Sequence, residues 1–147
     1  MLNSDEIQQI IPHRAPFLWV DEVVEQTDHT IHARKYLDPK LDVFVGHYPD
    51  FPVLPGVLQC EAAFQAGALL IAHLATVAGG ELPVVTRLNN VKFRRMVRPG
   101  ETLDIHVEFV ERLSAAYFLK SHTRVDGQTS CSLEFACTLT PKKAPGQ

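Results

Sequence analysis

From Pro55 to about Ala78 the chain runs through Val57, Leu58, Ala62, Phe64, Ala66, Leu69, Leu70, Leu74 and Val77 with very little polar surface between them. The spacing is helical, and a helix that is apolar nearly all round cannot lie half-exposed on a surface. It must be enclosed. One helix encloses nothing by itself, so the rest of the chain has to wrap it. Gly79-Gly80 is expected to end the helix.

The segments around it can do the wrapping. Four runs after the helix read as strands: about Val84 to Met96, Thr102 to Leu113, Ala116 to Val125 and Thr129 to Thr140. Leu103, Ile105, Val107 and Phe109 alternate with polar residues, as do Cys131, Leu133, Phe135 and Cys137. Pro99-Gly100, Ser114 and Asp126-Gly127 punctuate the runs, and Asp-Gly is a strong hairpin signal. Before the helix, Thr30 to Leu37 shows the same period of two, and Phe17 to Glu25 reads as a strand or extended segment. Ser4 or Asp5 is expected to cap a short helix over Glu6 to Ile11, stopped by Pro12. The order is a short N-terminal part, one buried helix, then an antiparallel meander. That is an α+β layer arrangement, with residues 1–147 as one domain. Pro141 to Gln147 reads as a polar, frayed tail.

Composition removes several function classes. With 46% apolar and 21% charged residues, the chain is ordinary for a soluble globular protein. A net charge of -3 supplies no basic field for nucleic acid. Cys60, Cys131 and Cys137 have no metal-ligand spacing, and their odd number fits a reducing cytoplasm. Met1 to Glu6 is polar and acidic, unlike a signal peptide. The longest purely apolar run, Ala66 to Ala72, is too short to cross a bilayer, so no membrane contact is expected.

The chemistry concentrates in one stretch, from Gly46-His47-Tyr48-Pro49 through Pro55-Gly56-Val57-Leu58 to Glu61. A histidine in an irregular loop can act as a base near neutral pH. Glu61 is the single carboxylate in the apolar helix, and aliphatic surroundings favour a carboxyl that keeps its proton. Structural pairing of Glu61 with Arg14 or Arg87 is the competing reading. Gln65, four residues on, shares its helix face and either orients Glu61 or sits at a subunit interface. Tyr48 and Phe51 line a substrate tunnel or simply pack. His13 reads as a structural hydrogen-bonder. His29, His32, His73, His106 and His122 are scattered along the chain without a metal-like cluster.

These residues resemble the 3-hydroxyacyl-acyl-carrier-protein dehydratases of bacterial fatty-acid synthesis. Further points of resemblance are Glu61-Ala62-Ala63-Phe64-Gln65, Pro12-His13-Arg14-Ala15-Pro16-Phe17-Leu18, and Val91-Lys92-Phe93-Arg94-Arg95 with Pro99-Gly100. They run in family order over nearly the whole chain. The resemblance implies a hot-dog fold, a long helix wrapped by a curved antiparallel sheet. It implies a homodimer that sets His47 of one subunit beside Glu61 of the other, with a trimer of dimers as a larger form. It implies no cofactor and no metal. The sister group that also isomerises the double bond has Asp where this chain has Glu61, so Glu61 favours the simple dehydratase.

On this reading His47 takes the α-hydrogen of a 3-hydroxyacyl thioester, and Glu61 holds or protonates the departing hydroxyl. The backbone N–H groups of Gly56 and Val57, at the positive end of the helix, are candidates for holding the enolate oxygen. Lys92, Arg94, Arg95 and Arg98 form the one basic cluster. They suit an acidic acyl carrier protein or the phosphate of its pantetheine arm; a solvated strand edge is the plainer alternative. Two other functions share the expected fold. A thioesterase would use Glu61 to activate water, with no obvious need for His47. A non-catalytic acyl-binding module would need neither residue.

Overall fold

The computed structural model describes residues 1–75 and 81–141. Three helices and six strands follow one another as α1 (Ser4–Ile10), β1 (Glu22–Gln26), β2 (Thr30–Tyr36), α2 (Asp42–Gly46), α3 (Gly56–Ala75), β3 (Glu81–Phe93), β4 (Thr102–Leu113), β5 (Ala116–Val125) and β6 (Gln128–Pro141). The last turn expected of the long helix, its Gly79-Gly80 stop, and the tail after Pro141 lie outside the described residues.

Helix α1 starts two residues earlier than expected. Asn3, not Ser4 or Asp5, is its cap: Asn3 Oδ1 accepts from the Glu6 N–H at 2.9 Å, and Glu6 Oε1 accepts from the Asn3 N–H at 3.1 Å. This reciprocal pair needs a Glu or Gln three positions after the cap: Asn3 has Glu6, Ser4 has Ile7, and the Gln8 that follows Asp5 is spent on Ser4 instead. The helix ends where Ile11 turns extended ahead of Pro12.

The strands make one antiparallel sheet in the order β1-β2-β4-β5-β6-β3. The expected meander holds only for β4, β5 and β6. Strand β3 crosses to the far side and pairs with β6, while the β1–β2 hairpin completes the sheet beside β4. A period of two fixes which face each residue takes but says nothing about which strands become neighbours. The Asp126-Gly127 turn between β5 and β6 has positive φ at both residues, 51° and 78°, as a tight hairpin of this twist requires.

Helix α3 packs chiefly against β4, with β2 and β5 beside it. Its Ala62, Ala63, Ala66, Leu70 and Ile71 are fully buried. They meet Ile31, Ala33, Leu103, Ile105, Val107, Leu119 and Phe135 from the inner face of the sheet. Gly67 allows the close approach: a Cβ there would stand 2.7 Å from the Phe135 ring. By length and composition alone α3 could cross a membrane, but 61% of its most apolar window is buried inside this fold.

The outer face of the sheet gathers three histidines that are far apart in the chain. Register puts His32 opposite His106, and His106 opposite His122. Their rings stack at 4.2 and 4.8 Å. They line a groove of about 870 Å³ that includes neither His47 nor Glu61. Burial first, then His32, His122 and Arg124, pushes His106 from 6.5 down to about 4, against the pull of Asp104. Burial and Arg124 also lower His122, against Glu108. Both imidazoles therefore take up a proton more readily in the unfolded chain. The stability this contributes is complete above the unfolded value of 6.5 and is lost as pH falls towards about 4. The urea midpoint is expected to drop between about pH 7 and about pH 5, and His106→Gln is expected to flatten that drop. An unchanged pH slope in the variant would remove the stacked rings as the cause.

Candidate active site

His47 sits at the C-terminal cap of α2, a short helix absent from the sequence reading; its N–H reaches the Val43 carbonyl at 3.2 Å. Beyond it the chain turns sharply. Tyr48 has φ of 55°, a left-handed conformation unusual for a side-chain-bearing residue and more so before a proline. The turn closes with the Phe51 N–H on the Tyr48 carbonyl at 2.8 Å. It brings the Val53 carbonyl back to His47, which donates to it from Nδ1 across 2.8 Å. A carbonyl only accepts, so Nδ1 carries a proton, and in the neutral tautomer the lone pair is on Nε2. The loop thus selects the tautomer and leaves Nε2 without a hydrogen bond among the described residues. The Tyr48 ring lies against that imidazole, centroids 4.4 Å apart.

Glu61 lies in the second turn of α3 with its side chain 21% exposed. Gln65, fully buried, holds it. Gln65 Nε2 donates to Glu61 Oε2 and to the Phe17 carbonyl, each at 2.9 Å, and Gln65 Oε1 accepts from the Trp19 N–H at 2.7 Å. One amide therefore uses all its polar atoms to tie the carboxylate to the chain between α1 and β1. Arg14 does not pair with Glu61. Its guanidinium donates to the carbonyls of Gln8, Ile11 and His13. The basic side chain nearest Glu61 among the described residues is His13, with Nε2 3.7 Å from Oε2. Within the chain His47 and Glu61 form no ion pair among the described residues.

Gly56 and Val57 open α3, and amides there have no partner within the helix. Val57 is 69% exposed. The bare Cα of Gly56 has a neighbour that the sequence reading missed: a Cβ there would meet the Phe93 ring at 2.7 Å. Gly56 is thus required by packing against Phe93, whatever else approaches it. Phe51 stacks under the Arg98 guanidinium, 4.4 Å from the ring centroid. The Leu54 N–H bonds the Val97 carbonyl at 2.8 Å, which ties the chain after His47 to the basic segment.

The basic cluster divides. Arg95 donates to Glu101 at 2.8 Å. Partial burial works against the Glu101 anion, but the hydrogen bonds from Arg95 and the Arg98 N–H hold its pKa below the ordinary carboxylate value. Lys92 lines the outer groove with the stacked histidines. Arg94 and Arg98 are the exposed cations on the loop side.

A cleft of about 890 Å³ opens beside the site, bounded by Ile11, Pro12, His13, Ala68, Ala72 and Val84 among others. Its walls mix these residues with Gln8, Gln9, Arg14, Gln26, His73 and Glu81. None of His47, Glu61, Gly56, Val57, Gln65, Tyr48 and Phe51 lines it.

One helix enclosed by a single antiparallel sheet in this strand order is the hot-dog fold, and His13, which lines the cleft, stands 3.7 Å from the Glu61 carboxyl. The architecture matches the dehydratase heterocomplex ApeI:P of Xenorhabdus doucetiae at a TM-score of 0.78, with 17% identity over 92% of this chain and 91% of that one. A thioesterase from Haemophilus influenzae matches at 0.71, with 15% identity over 100% and 96%. Those two likenesses concern the fold alone. Residues 23–134 match the ApeI-like family model, described as ApeI dehydratase. The 3-hydroxyacyl-[acyl-carrier-protein] dehydratase FabZ of Clostridium perfringens is 40% identical over 91% of this chain and 96% of its own length. The FabZ of Vibrio campbellii is 38% identical, covering 92% of each. The chain belongs to this dehydratase family, and it is an enzyme that removes water from its substrate.

Proposed function

We propose that the substrate is a 3-hydroxyacyl group carried as a thioester on acyl carrier protein, and that the product is the trans-2-enoyl thioester. The observation that carries this reading is His47, whose Nδ1 is committed to the Val53 carbonyl and whose Nε2 has no hydrogen bond among the described residues. Nε2 takes the α-hydrogen as a proton. Electrons move through the enolate, whose oxygen is held by the Gly56 and Val57 N–H groups at the positive end of α3. The C–O bond at the 3-position breaks as the Glu61 carboxyl gives its proton to the departing hydroxyl, forming water. One proton is gained at His47 and one lost at Glu61, so a proton transfer between them resets the site. The acyl chain lies in the cleft beside His13 and Ala72.

The working unit is a homodimer in which His47 faces the partner subunit's Glu61. Two features support this. The residues are not paired within one chain, and β3 leaves one long edge of the sheet without a strand beside it. Exposed Val57 and Phe93, near that edge and the start of α3, add apolar surface for a second copy. Each chain contributes residues 1–147 as one domain, the dimers associate further as a trimer of dimers, and the enzyme acts in the cytoplasm.

The test is mass spectrometry of 3-hydroxyacyl carrier proteins of graded chain length after incubation with the enzyme. Loss of one water with the thioester intact supports the proposal. Release of the acyl group as a free acid would replace it with a thioesterase. Unchanged substrate at every length would leave a binding module.

Arg94 and Arg98 are assigned to carrier docking, with Arg95 set aside because Glu101 occupies it. Reversing both charges is expected to raise KM for carrier-bound substrate about tenfold and to leave a short pantetheine thioester unaffected. Equal losses on both substrates would overturn the docking role.

A further inference from the structure

Gln65 accounts for one contact on Glu61 Oε2. The second neighbour of that oxygen, His13 Nε2 at 3.7 Å, has no role in the chemistry above. His13 follows α1 in a loop that Arg14 holds rigidly. The guanidinium bonds three carbonyls there, including that of His13 itself at 2.6 Å. The loop is pinned, yet the imidazole has no hydrogen bond of its own. Nδ1 is buried with no partner. Burial lowers the proton affinity of the ring and Arg14 lowers it further, against the pull of Glu61, so the ring is neutral at working pH.

A neutral ring has one N–H to place. Nδ1 has no acceptor to receive a proton, whereas Nε2 faces a carboxylate oxygen, so the proton belongs on Nε2. At 3.7 Å this is not yet a hydrogen bond. A ring movement of about 1 Å, or one bridging water, completes it. His13 also lines the cleft, and so touches both the carboxylate and the space beside it.

We propose that His13 is a positioning residue for Glu61: its Nε2–H and the Gln65 amide together hold Oε2, leaving Oε1 to meet the departing hydroxyl. The inference rests on the role given to Glu61 above. A carboxylate held at one oxygen from two sides has one orientation; held from one side it can swing about that contact. Catalytic groups misplaced by about 1 Å can lose on the order of 100-fold in rate.

The experiment compares kcat and KM for His13→Leu, His13→Gln, His13→Asn and Glu61→Gln on a 3-hydroxyacyl thioester, with melting temperatures measured alongside. The Gln amide nitrogen reaches the place of Nε2 and the Asn nitrogen that of Nδ1. His13→Leu is expected to lose about 10- to 100-fold in kcat with KM little changed. His13→Gln is expected to recover most of that loss and His13→Asn little of it. Equal behaviour of the Gln and Asn variants, or an unchanged kcat in both, would overturn the inference even if the Leu variant fails to fold. Full activity in Glu61→Gln would instead overturn the underlying assignment of Glu61.

Discussion

Alanine at position 47 lowers kcat/KM for dehydration by about 10³-fold, with the fold intact. The ring is held by one hydrogen bond to a backbone carbonyl and one face of contact with Tyr48, so its removal leaves no large buried void. What is lost is the only imidazole whose tautomer the loop fixes with Nε2 open. Glu61→Gln is expected to lose a similar factor, because the amide keeps the shape but has no carboxyl proton to give. The proposed dimer makes the pair of variants more informative than either alone. If each site takes His47 from one subunit and Glu61 from the other, a mixed dimer of His47→Ala and Glu61→Gln contains one intact site. Unfolding and refolding an equal mixture should then restore about a quarter of wild-type activity. No recovery from a mixture shown to exchange subunits would place both residues in one chain, and the site would have to be redrawn.

Gln65→Leu is expected to cost about 3 kcal/mol of stability, read as a lowered urea midpoint with the slope unchanged. Gln65 is fully buried and makes three hydrogen bonds. Leucine fills its volume but strands the Trp19 N–H away from water, at about 1–3 kcal/mol, and also removes the part-buried bond to the exposed Phe17. Glu61 loses its 2.9 Å contact in the same step. Activity should therefore fall by more than the loss of folded protein explains, when both are measured at a temperature where the variant is still folded. A variant as stable as wild type would mean that these bonds are not made in solution.

The helix and the strands were legible because each depends on local pattern. Strands β4 and β5 begin and end where the alternation and the turn residues place them. The spacing of His47 and Glu61, with prolines and glycines between them, also stands in the linear order, and it is what marks them as candidates. Other parts left no such trace. Helix α2 is five residues long and has no side-chain cap, so nothing periodic marks it. The Asn3 cap was missed because Ser4 and Asp5 are equally good capping residues, and only the reach of Glu6 decides among the three. His32, His106 and His122 looked scattered because strand register, not sequence distance, stacks them.

Sequence by itself determined that an apolar helix must be enclosed, that strands of period two enclose it, and that one histidine and one carboxyl flank the start of that helix. These follow from burial of apolar surface and from side-chain periodicity, both local properties. The tertiary structure alone decided which edge β3 occupies, which nitrogen of His47 is free, and that Gly56 is small because Phe93 lies on it. It also decided that Gln65 and His13 meet on one oxygen of Glu61. Those outcomes depend on groups distant in the chain competing for the same space and the same hydrogen bonds, and that competition has no counterpart in the order of the residues.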